Sequence, residues 1–364
     1  MQISATRSPR IDLDDRASCR SLDPTGMLDL AIDFPAQIER AARIGAAFRL
    51  PSSFRNPSQI VLSGMGGSAA AGDLLARLCD LTGSVPFLVN RDYRVPKFVG
   101  PHTLFIASSY SGNTEETLAA VTRALQRRAR VVCVTTGGKL GRIAAHRKLP
   151  LIEIPTDPPM PPRAALAFSF VPLVFLLSSL GFLPGARRQM KEALEVTRRL
   201  GERLHPDAPL RRNRAKQLAA YLFGKIPWVQ GTVGLMSAVA YRWRCQFNEN
   251  SKTLAYSSEY PELDHNEVVG WELSSRLASG LGVIVLKEPD VQPRIQARID
   301  ITRELIGPKA DPQMIEAEGD CPLAQALWAV YLGDFTSVYL ALLGDRDPAA
   351  IVGIQELKRR LAEL

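Results

Sequence analysis

The stretch QIVLSGMGGSAAAGD, residues 59–73, is the clearest indicator of the fold class. It begins as a β-branched, apolar run, passes through a glycine-rich turn and continues as a helical segment of small residues, which is typical of a parallel strand that leads into a helix. Similar apolar runs follow at 85–92, 103–109, 130–136 and 149–155, with helical patterns between them. This alternation predicts a parallel sheet covered by helices on both faces.

The same alternation returns after residue 212, with strands predicted at 226–232 and 281–288 and helices around them. We therefore predict the α/β class, with two subdomains that are each a doubly wound, flavodoxin-like three-layer sandwich in which helices flank a parallel sheet. The predicted domains are an N-terminal extension (1–35), a first subdomain (36–183), a helical linker (184–212), a second subdomain (213–345) and a C-terminal helix (346–364).

The composition is that of a globular chain with a sizeable core, since 46% of its 364 residues are hydrophobic and 23% are charged. The net charge of +8 comes mostly from short mixed runs such as LQRRAR, which favour solvated helix faces over a nucleic-acid surface and suit an anionic small substrate. The five cysteines and four histidines are scattered, so we expect no disulfide framework, no metal site, no cofactor and a cytoplasmic location.

One apolar segment, residues 164–183, carries no charge over twenty residues and so meets the length criterion for a membrane span. It also contains Pro172 and three serines and follows a series of strands and helices. We therefore predict a buried helix and no membrane association.

The first glycine-rich turn permits a dinucleotide site as one interpretation. Gly64, Gly66 and Ala69 satisfy G-x-G-x-x-A directly after a strand, and Asp92 ends the next strand. The motif alone is weak, because glycines at such a turn serve any ligand whose phosphate lies on helix N–H groups.

A second turn, ASSYSGNTEETL at 107–118, discriminates between the ligands. Its hydroxyl side chains can donate to phosphate oxygens without adding a charge, and two neighbouring hydroxyl-rich turns converge on one small terminal phosphate. Helix capping would need one hydroxyl rather than several. The predicted phosphate-binding residues are Gly66, Gly67, Ser68, Ser109, Ser111 and Thr114.

Six segments together resemble, in order, the bifunctional phosphoglucose/phosphomannose isomerase family of the sugar isomerase (SIS) superfamily. They are SGMGGSAAAGD, SSYSGNTEET, PPRAAL, NENSK, YPELDHNEVVGWE and DPAAIVGIQELKRRL, and the resemblance runs from about residue 35 to the end. It implies two SIS subdomains and an enzyme that interconverts glucose 6-phosphate with fructose 6-phosphate through a cis-enediolate. Mannose 6-phosphate is a further candidate substrate.

The resemblance also implies roles for single residues. Glu249 matches the proton-shuttling glutamate, His265 the ring-opening histidine, Arg163 the arginine that stabilises the enediolate, and Lys358 a lysine near the sugar ring. In the family this histidine comes from the neighbouring subunit, which implies a homodimer with His265 contributed across the interface. The family commonly has Asn where Asp264 stands, and a carboxylate there would alter the charge of the histidine.

Two other functions stay open at this stage. A non-catalytic SIS-domain sensor of sugar phosphates would use the same two turns without needing Glu249, His265 or Arg163. An NAD(P)-dependent dehydrogenase would use the first turn alone.

Overall fold

The computed structural model describes residues 11–83, 85–272, 275–361 and 363. The chain divides into two compact units. The first unit consists of Asp33–Arg198 and Glu318–Leu327, and the second of the described residues of Met1–Ile32, Arg199–Ala317 and Trp328–Leu364. The boundaries predicted at 183/184 and 212/213 lie on either side of the division at Arg198.

Strands and helices alternate along most of the chain. The strands are β1 (Gln59–Ser63), β2 (Phe87–Asn90), β3 (Thr103–Ser108), β4 (Arg130–Thr135), β5 (Leu151–Glu153), β6 (Ile226–Thr232), β7 (Tyr256–Tyr260), β8 (Leu281–Lys287) and β9 (Gln313–Glu316). The helices are α1 (Arg16–Leu22), α2 (Met27–Ile32), α3 (Phe34–Ala47), α4 (Gly66–Thr82), α5 (Glu115–Gln126), α6 (Gly138–Arg147), α7 (Leu166–Ser179), α8 (Ala186–Leu204), α9 (Arg214–Leu222), α10 (Leu235–Glu249), α11 (Glu267–Gly270), α12 (Ser275–Ala278), α13 (Pro293–Ile306), α14 (Pro322–Leu343) and α15 (Val352–Leu361).

The first unit is built on a parallel sheet with the order β2-β1-β3-β4-β5. This is the flavodoxin-like order, so the predicted fold class is confirmed. Strand β3 is buried along its whole length because helices cover both faces of the sheet. The strand order reverses at β1, and in sheets of this kind ligands bind at the carboxyl ends of the strands beside that point.

The second unit contains a smaller parallel sheet with the order β7-β6-β8-β9. The sequence analysis predicted its two central strands and missed β7 and β9. Both lie at the edges of the sheet, and their sequences YSSEY and QMIE are polar and only partly buried. Edge strands of this kind lack the apolar run that identified the others.

The uncharged segment 164–183 forms α7, a helix with nearly all of its residues buried, as predicted. Pro172 lies inside this helix, and a Cβ on Gly45 of α3 would come within 2.8 Å of its Cα, so the two helices approach closely there. Among the described helices, α14 alone is long and apolar enough to pass the length and composition test for a membrane span, and 94% of its apolar window is buried in the protein.

The described part of the predicted N-terminal extension up to Ile32 belongs to the second unit. It forms α1 and α2, and the Asp14 carboxylate accepts hydrogen bonds from the Lys216 ammonium at 2.8 Å and from the Leu210 N–H at 2.9 Å. The side chain of Lys216 is fully buried, and its ammonium also donates to the Pro206 carbonyl. The bond from Lys216 lowers the pKa of Asp14 below its usual range.

The C-terminal helix begins later than the sequence pattern indicates. The pattern predicts Asp347 and Pro348 at its start, but the Asp347 carboxylate accepts from the Ala349 N–H and closes a separate turn. Helix α15 begins only at Val352 and has no buried residue among those described.

Candidate active site

The turn between β1 and α4 presents a helix N-terminus at the carboxyl edge of the first sheet. Gly66 has φ +51°, a conformation that glycine adopts at little cost, and Ser68 lies buried in the first turn of α4. Within the described part of the chain, the Met65 side chain at the N-cap makes no capping bond to this helix. The unsatisfied N–H groups and the helix dipole favour an anion at such a position.

The turn between β3 and α5 is held together by its own hydroxyl groups. Ser109 is buried, its Oγ lies 2.8 Å from the Thr114 Oγ1, and it accepts from the Gly112 N–H. The Ser111 Oγ accepts from the Asn113 N–H at 3.2 Å. Thr114 stands at the N-cap position of α5, but among the described residues its hydroxyl makes no capping bond to the helix.

These two turns lie next to each other. Strands β1 and β3 pair in parallel with Ser63 opposite Ala107, so both turns leave the sheet at the same edge. A Cβ on Gly64 would come within 2.9 Å of the Ser108 carbonyl oxygen and 3.1 Å of the Ser68 Cβ. The Ser108 hydroxyl is buried there and finds no hydrogen-bond partner among the residues that the structure describes. Gly64 therefore allows the two turns to meet.

Arg163 lies directly beside the first turn. It belongs to a short 3-10 helix, Pro162–Ala164, and only 3% of the residue is exposed. A Cβ on Gly67 would come within 3.1 Å of the Pro162 carbonyl oxygen and 3.6 Å of the Arg163 Cα. The first unit thus brings one buried arginine and the N-termini of α4 and α5 to one edge of its sheet, which is a set of groups suited to a phosphate or an oxyanion.

Sequence reasoning missed the contact between Gly67 and Arg163. The two residues belong to separate motifs, and neither motif contains a signal for the other. The proline-rich run before Arg163 was the only hint, because it indicated a backbone with few available conformations.

Glu249 is the last residue of α10 and is partly buried. Its backbone carbonyl accepts from the Lys252 ammonium at 2.9 Å. The two residues that follow it are fixed to α14, since the Asn250 Nδ2 donates to the Ser337 Oγ and the Ser251 Oγ donates to the Ser337 carbonyl. The main chain that carries the Glu249 carboxylate is therefore held on several sides.

His265 is exposed at the end of a short 3-10 helix, Glu262–His265. The adjacent Asp264 carboxylate is engaged elsewhere, because it accepts from the Thr302 Oγ1 at 2.9 Å and from the Arg298 Nη1 at 3.2 Å. Asp264 therefore anchors this 3-10 helix to α13.

Glu249 and His265 lie on opposite faces of the second sheet. The connection from β6 to β7 runs in one direction across the sheet and the connection from β7 to β8 in the other, and right-handed crossovers place two such connections on opposite faces. In agreement, Leu263 and Trp271 share a core cluster with Ile299 of α13, whereas Trp243 of α10 donates to a carbonyl of α14. Since packed layers are about 10 Å apart, roughly 20 Å separates α10 from the layer that carries His265.

Lys358 lies on α15 and is exposed. Two neighbouring basic residues bind carboxylates of the same helix, since both Arg359 and Arg360 pair with Glu356. Across the described ranges, no group of three or more His, Cys, Asp or Glu side chains is arranged to hold a metal ion.

Comparisons with known proteins identify the relatives of this chain. Residues 53–180 match the SIS domain family, and residues 211–361 match the family described as the bacterial phospho-glucose isomerase C-terminal SIS domain. The bifunctional phosphoglucose/phosphomannose isomerase of Caldicellulosiruptor bescii is 38% identical over 339 residues, which are 93% of this chain and 99% of the relative. The protein of the same name from Thermoplasma acidophilum is 33% identical over 84% of this chain and 90% of its own length.

A solved structure supports the fold over nearly the whole chain. A hypothetical protein from Thermus thermophilus matches with a TM-score of 0.74 and 18% identity, covering 96% of this chain and 93% of the other. The resemblance seen in the sequence motifs is thus confirmed, and the chain belongs to the bifunctional phosphoglucose/phosphomannose isomerase family.

Proposed function

We propose that this protein is an aldose–ketose isomerase that interconverts glucose 6-phosphate, and also mannose 6-phosphate, with fructose 6-phosphate through a cis-enediolate. The observation that carries the proposal is the meeting of the two hydroxyl-rich turns with buried Arg163 at one edge of the first sheet. Family membership supports the reaction, because curated relatives that span nearly the same length bear this name.

The phosphate end of the substrate binds to the first unit. The predicted binding residues provide two helix N-termini and short hydroxyl side chains, which together stabilise a phosphate dianion by hydrogen bonds and helix dipoles. The bond between the Ser109 and Thr114 hydroxyls uses the proton of one of them, so the other keeps its O–H to donate to a phosphate oxygen. The binding residues are Gly66, Gly67, Ser68, Ser109, Ser111 and Thr114.

Glu249 transfers the proton between the two reacting carbons. In the proposed reaction its carboxylate removes the proton from C2 of the open-chain aldose and returns it to C1, so that no oxidant or reductant is consumed. Arg163 stabilises the negative charge that develops on the two enediolate oxygens, a task that suits a guanidinium held in place by burial. His265 protonates the ring oxygen when the sugar opens, and Lys358 lies near the ring.

The functional protein is a homodimer, with His265 supplied by a second copy of the chain. The position of Glu249 and His265 on opposite faces of one sheet supports this, because roughly 20 Å is too far for both to reach one six-carbon sugar. Exposed apolar side chains of α13 lie on the same face as His265, with Ile301 56% and Leu305 61% exposed. Such a surface is suited to a second copy.

We also propose that the enzyme works in the cytoplasm. All five cysteines lie among the described residues, and none of them forms a disulfide. Unpaired thiols are usual for proteins of a reducing compartment.

The decisive experiment is Glu249→Gln, with Glu202→Gln on the exposed surface of α8 as the matched control. Removal of a general base lowers kcat about 10²- to 10⁴-fold, while binding of fructose 6-phosphate persists and the control retains full turnover. Unchanged turnover in Glu249→Gln would refute the assignment.

Isotope exchange tests the mechanism separately. In deuterated water the wild-type protein should place deuterium at C2 of the aldose formed from fructose 6-phosphate. Isomerisation without any exchange at slow turnover would indicate a hydride shift instead. Binding without turnover of either aldose phosphate would favour the sensor, and a coupled assay with each hexose phosphate in turn establishes whether mannose 6-phosphate is converted.

A further inference from the structure

Lys252, three residues after Glu249, binds three backbone carbonyls at once. Its Nζ donates to the carbonyls of Glu249 at 2.9 Å, Asn250 at 3.1 Å and Pro348 at 3.1 Å. An ammonium has three N–H donors, so these bonds use all of them. The side chain therefore connects the end of α10 with the segment that leads into α15.

The backbone of Lys252 is in a conformation that a lysine adopts at a cost. Its φ of +53° lies in the left-handed region, where a residue with a Cβ is disfavoured by about 1 kcal/mol or more. Glycine would be the usual residue at such a helix end. A lysine at this position implies that the side chain contributes something that a glycine would not.

The residues just before Lys252 attach the end of α10 to α14. The Asn250 side chain donates to the Ser337 Oγ at 2.9 Å, and the Ser251 hydroxyl donates to the Ser337 carbonyl at 2.6 Å. Both bonds fix the turn to α14, and both donor residues are buried. The Lys252 ammonium extends this attachment to the main chain after α14, through the Pro348 carbonyl.

We propose that Lys252 is a positioning residue, whose ammonium holds Glu249 and the C-terminal segment 346–361 in one fixed arrangement. The proposal rests on the function proposed above, because it assumes that the Glu249 carboxylate performs the proton transfer. Lys252 itself does not need to touch the substrate. It acts through the carbonyl of Glu249 and, by way of Pro348, on the segment that carries Lys358.

The test uses the full-length protein with three substitutions. Lys252→Met keeps most of the side-chain stem and removes the ammonium, whereas Lys252→Gly removes the ammonium and also relieves the left-handed backbone. Lys191→Met on the exposed surface of α8 controls for the loss of one positive charge. Each variant is measured for kcat, for KM with fructose 6-phosphate, and for hydrogen–deuterium exchange of the amides in 346–361.

Both Lys252 variants should lower kcat about 10- to 100-fold while KM changes less than about 3-fold, because a displacement of the order of 1 Å is enough for such a loss. Amide exchange in 346–361 should accelerate at least about 10-fold in both, and the control should match the wild type. If Lys252→Met does not fold, Lys252→Gly alone decides.

The two proposals fail in different ways. Normal exchange in 346–361 would overturn the positioning role, whether kcat falls or not. Normal kcat together with faster exchange would also overturn it, because Glu249 would then not depend on the contact. If the wild type shows no isomerase activity but exchange accelerates in the variants, the proposed function fails while the contact with the C-terminal segment stands.

Discussion

Replacing Gly112 with alanine should damage the turn between β3 and α5, which we propose to bind phosphate. Gly112 has φ +67°, and a Cβ there would lie 1.9 Å from the Gly137 carbonyl oxygen. Real Cβ atoms do not come closer than 3.0 Å to such an atom, so this turn and the one at Gly137 must separate by about 1.1 Å, the difference between 3.0 and 1.9 Å. The left-handed backbone costs about 1 kcal/mol and the overpacking about 1–3 kcal/mol, so Gly112→Ala should lower the free energy of unfolding by roughly 2–4 kcal/mol.

Gly181→Ala is the matched control. Gly181 belongs to the same unit and has φ +87°, but among the described residues a Cβ there would meet nothing within 4 Å. Gly181→Ala should lower the free energy of unfolding only by the cost of a left-handed backbone, about 1 kcal/mol, and should leave kcat and KM unchanged. Gly112→Ala should also lower kcat/KM for fructose 6-phosphate about 100-fold, since the turn proposed to bind phosphate moves by about 1 Å. Urea unfolding and steady-state assays measure both, and equal stability of the two variants would refute the reasoning.

Three further predictions concern stability and reactivity. Asp14→Asn should destabilise the protein by about 3–5 kcal/mol in urea unfolding, because it leaves the fully buried Lys216 ammonium without its carboxylate. Lys216→Met should lower the free energy of unfolding by less, because 39% of the Asp14 side chain is exposed and water can solvate its unpaired carboxylate. Equal losses in the two variants would contradict this. Burial raises the pKa of Glu288 above its ordinary 4.5, so the unfolded chain releases this proton first and stability falls as pH rises from 4.5 through the folded value. Glu288→Gln should therefore gain stability relative to the wild type as pH rises through that window, and a parallel pH profile would argue against it. Burial raises the pKa of Cys79 and of Cys133 to about 12, so at about pH 8 roughly one thiol in 10,000 is ionised and a thiol reagent should label them only after unfolding. Rapid labelling of either in the native protein would contradict their burial.

The sequence predicted the five described strands of the first sheet and the two central strands of the second, and missed the two at the edges of the second sheet. A strand such as β3 is apolar between its two end residues, because helices cover it on both sides, and this leaves a continuous apolar run in the sequence. Strand β7 lies at the edge of its sheet and can therefore be polar, so its sequence does not distinguish it from a loop. The sequence therefore predicted that the second sheet is parallel, but not how many strands it has.

For the candidate site, the sequence revealed the individual motifs but not every packing contact between them. The two hydroxyl-rich turns were expected to converge because neighbouring parallel strands end at the same edge, which follows from topology alone. The close approach of Gly67 to Arg163 depends instead on how the 3-10 helix before α7 packs on α4. No local pattern encodes such packing, because the proline-rich run fixes the backbone conformation without fixing its neighbour.

The relation between Glu249 and His265 shows most clearly what spacing cannot reveal. The two residues are close in sequence, and spacing alone would place them together on one substrate. The chain between them forms β7, an edge strand, and His265 lies at the start of the connection that crosses β6 to reach β8. Because crossovers between parallel strands are right-handed as a rule, reversing the direction across the sheet moves the chain to its other face. A one-sided order, in which β7 lay between β6 and β8, would have left both residues on one face. The strand order therefore decides whether one chain can supply both groups, and here it favours the second copy that we propose.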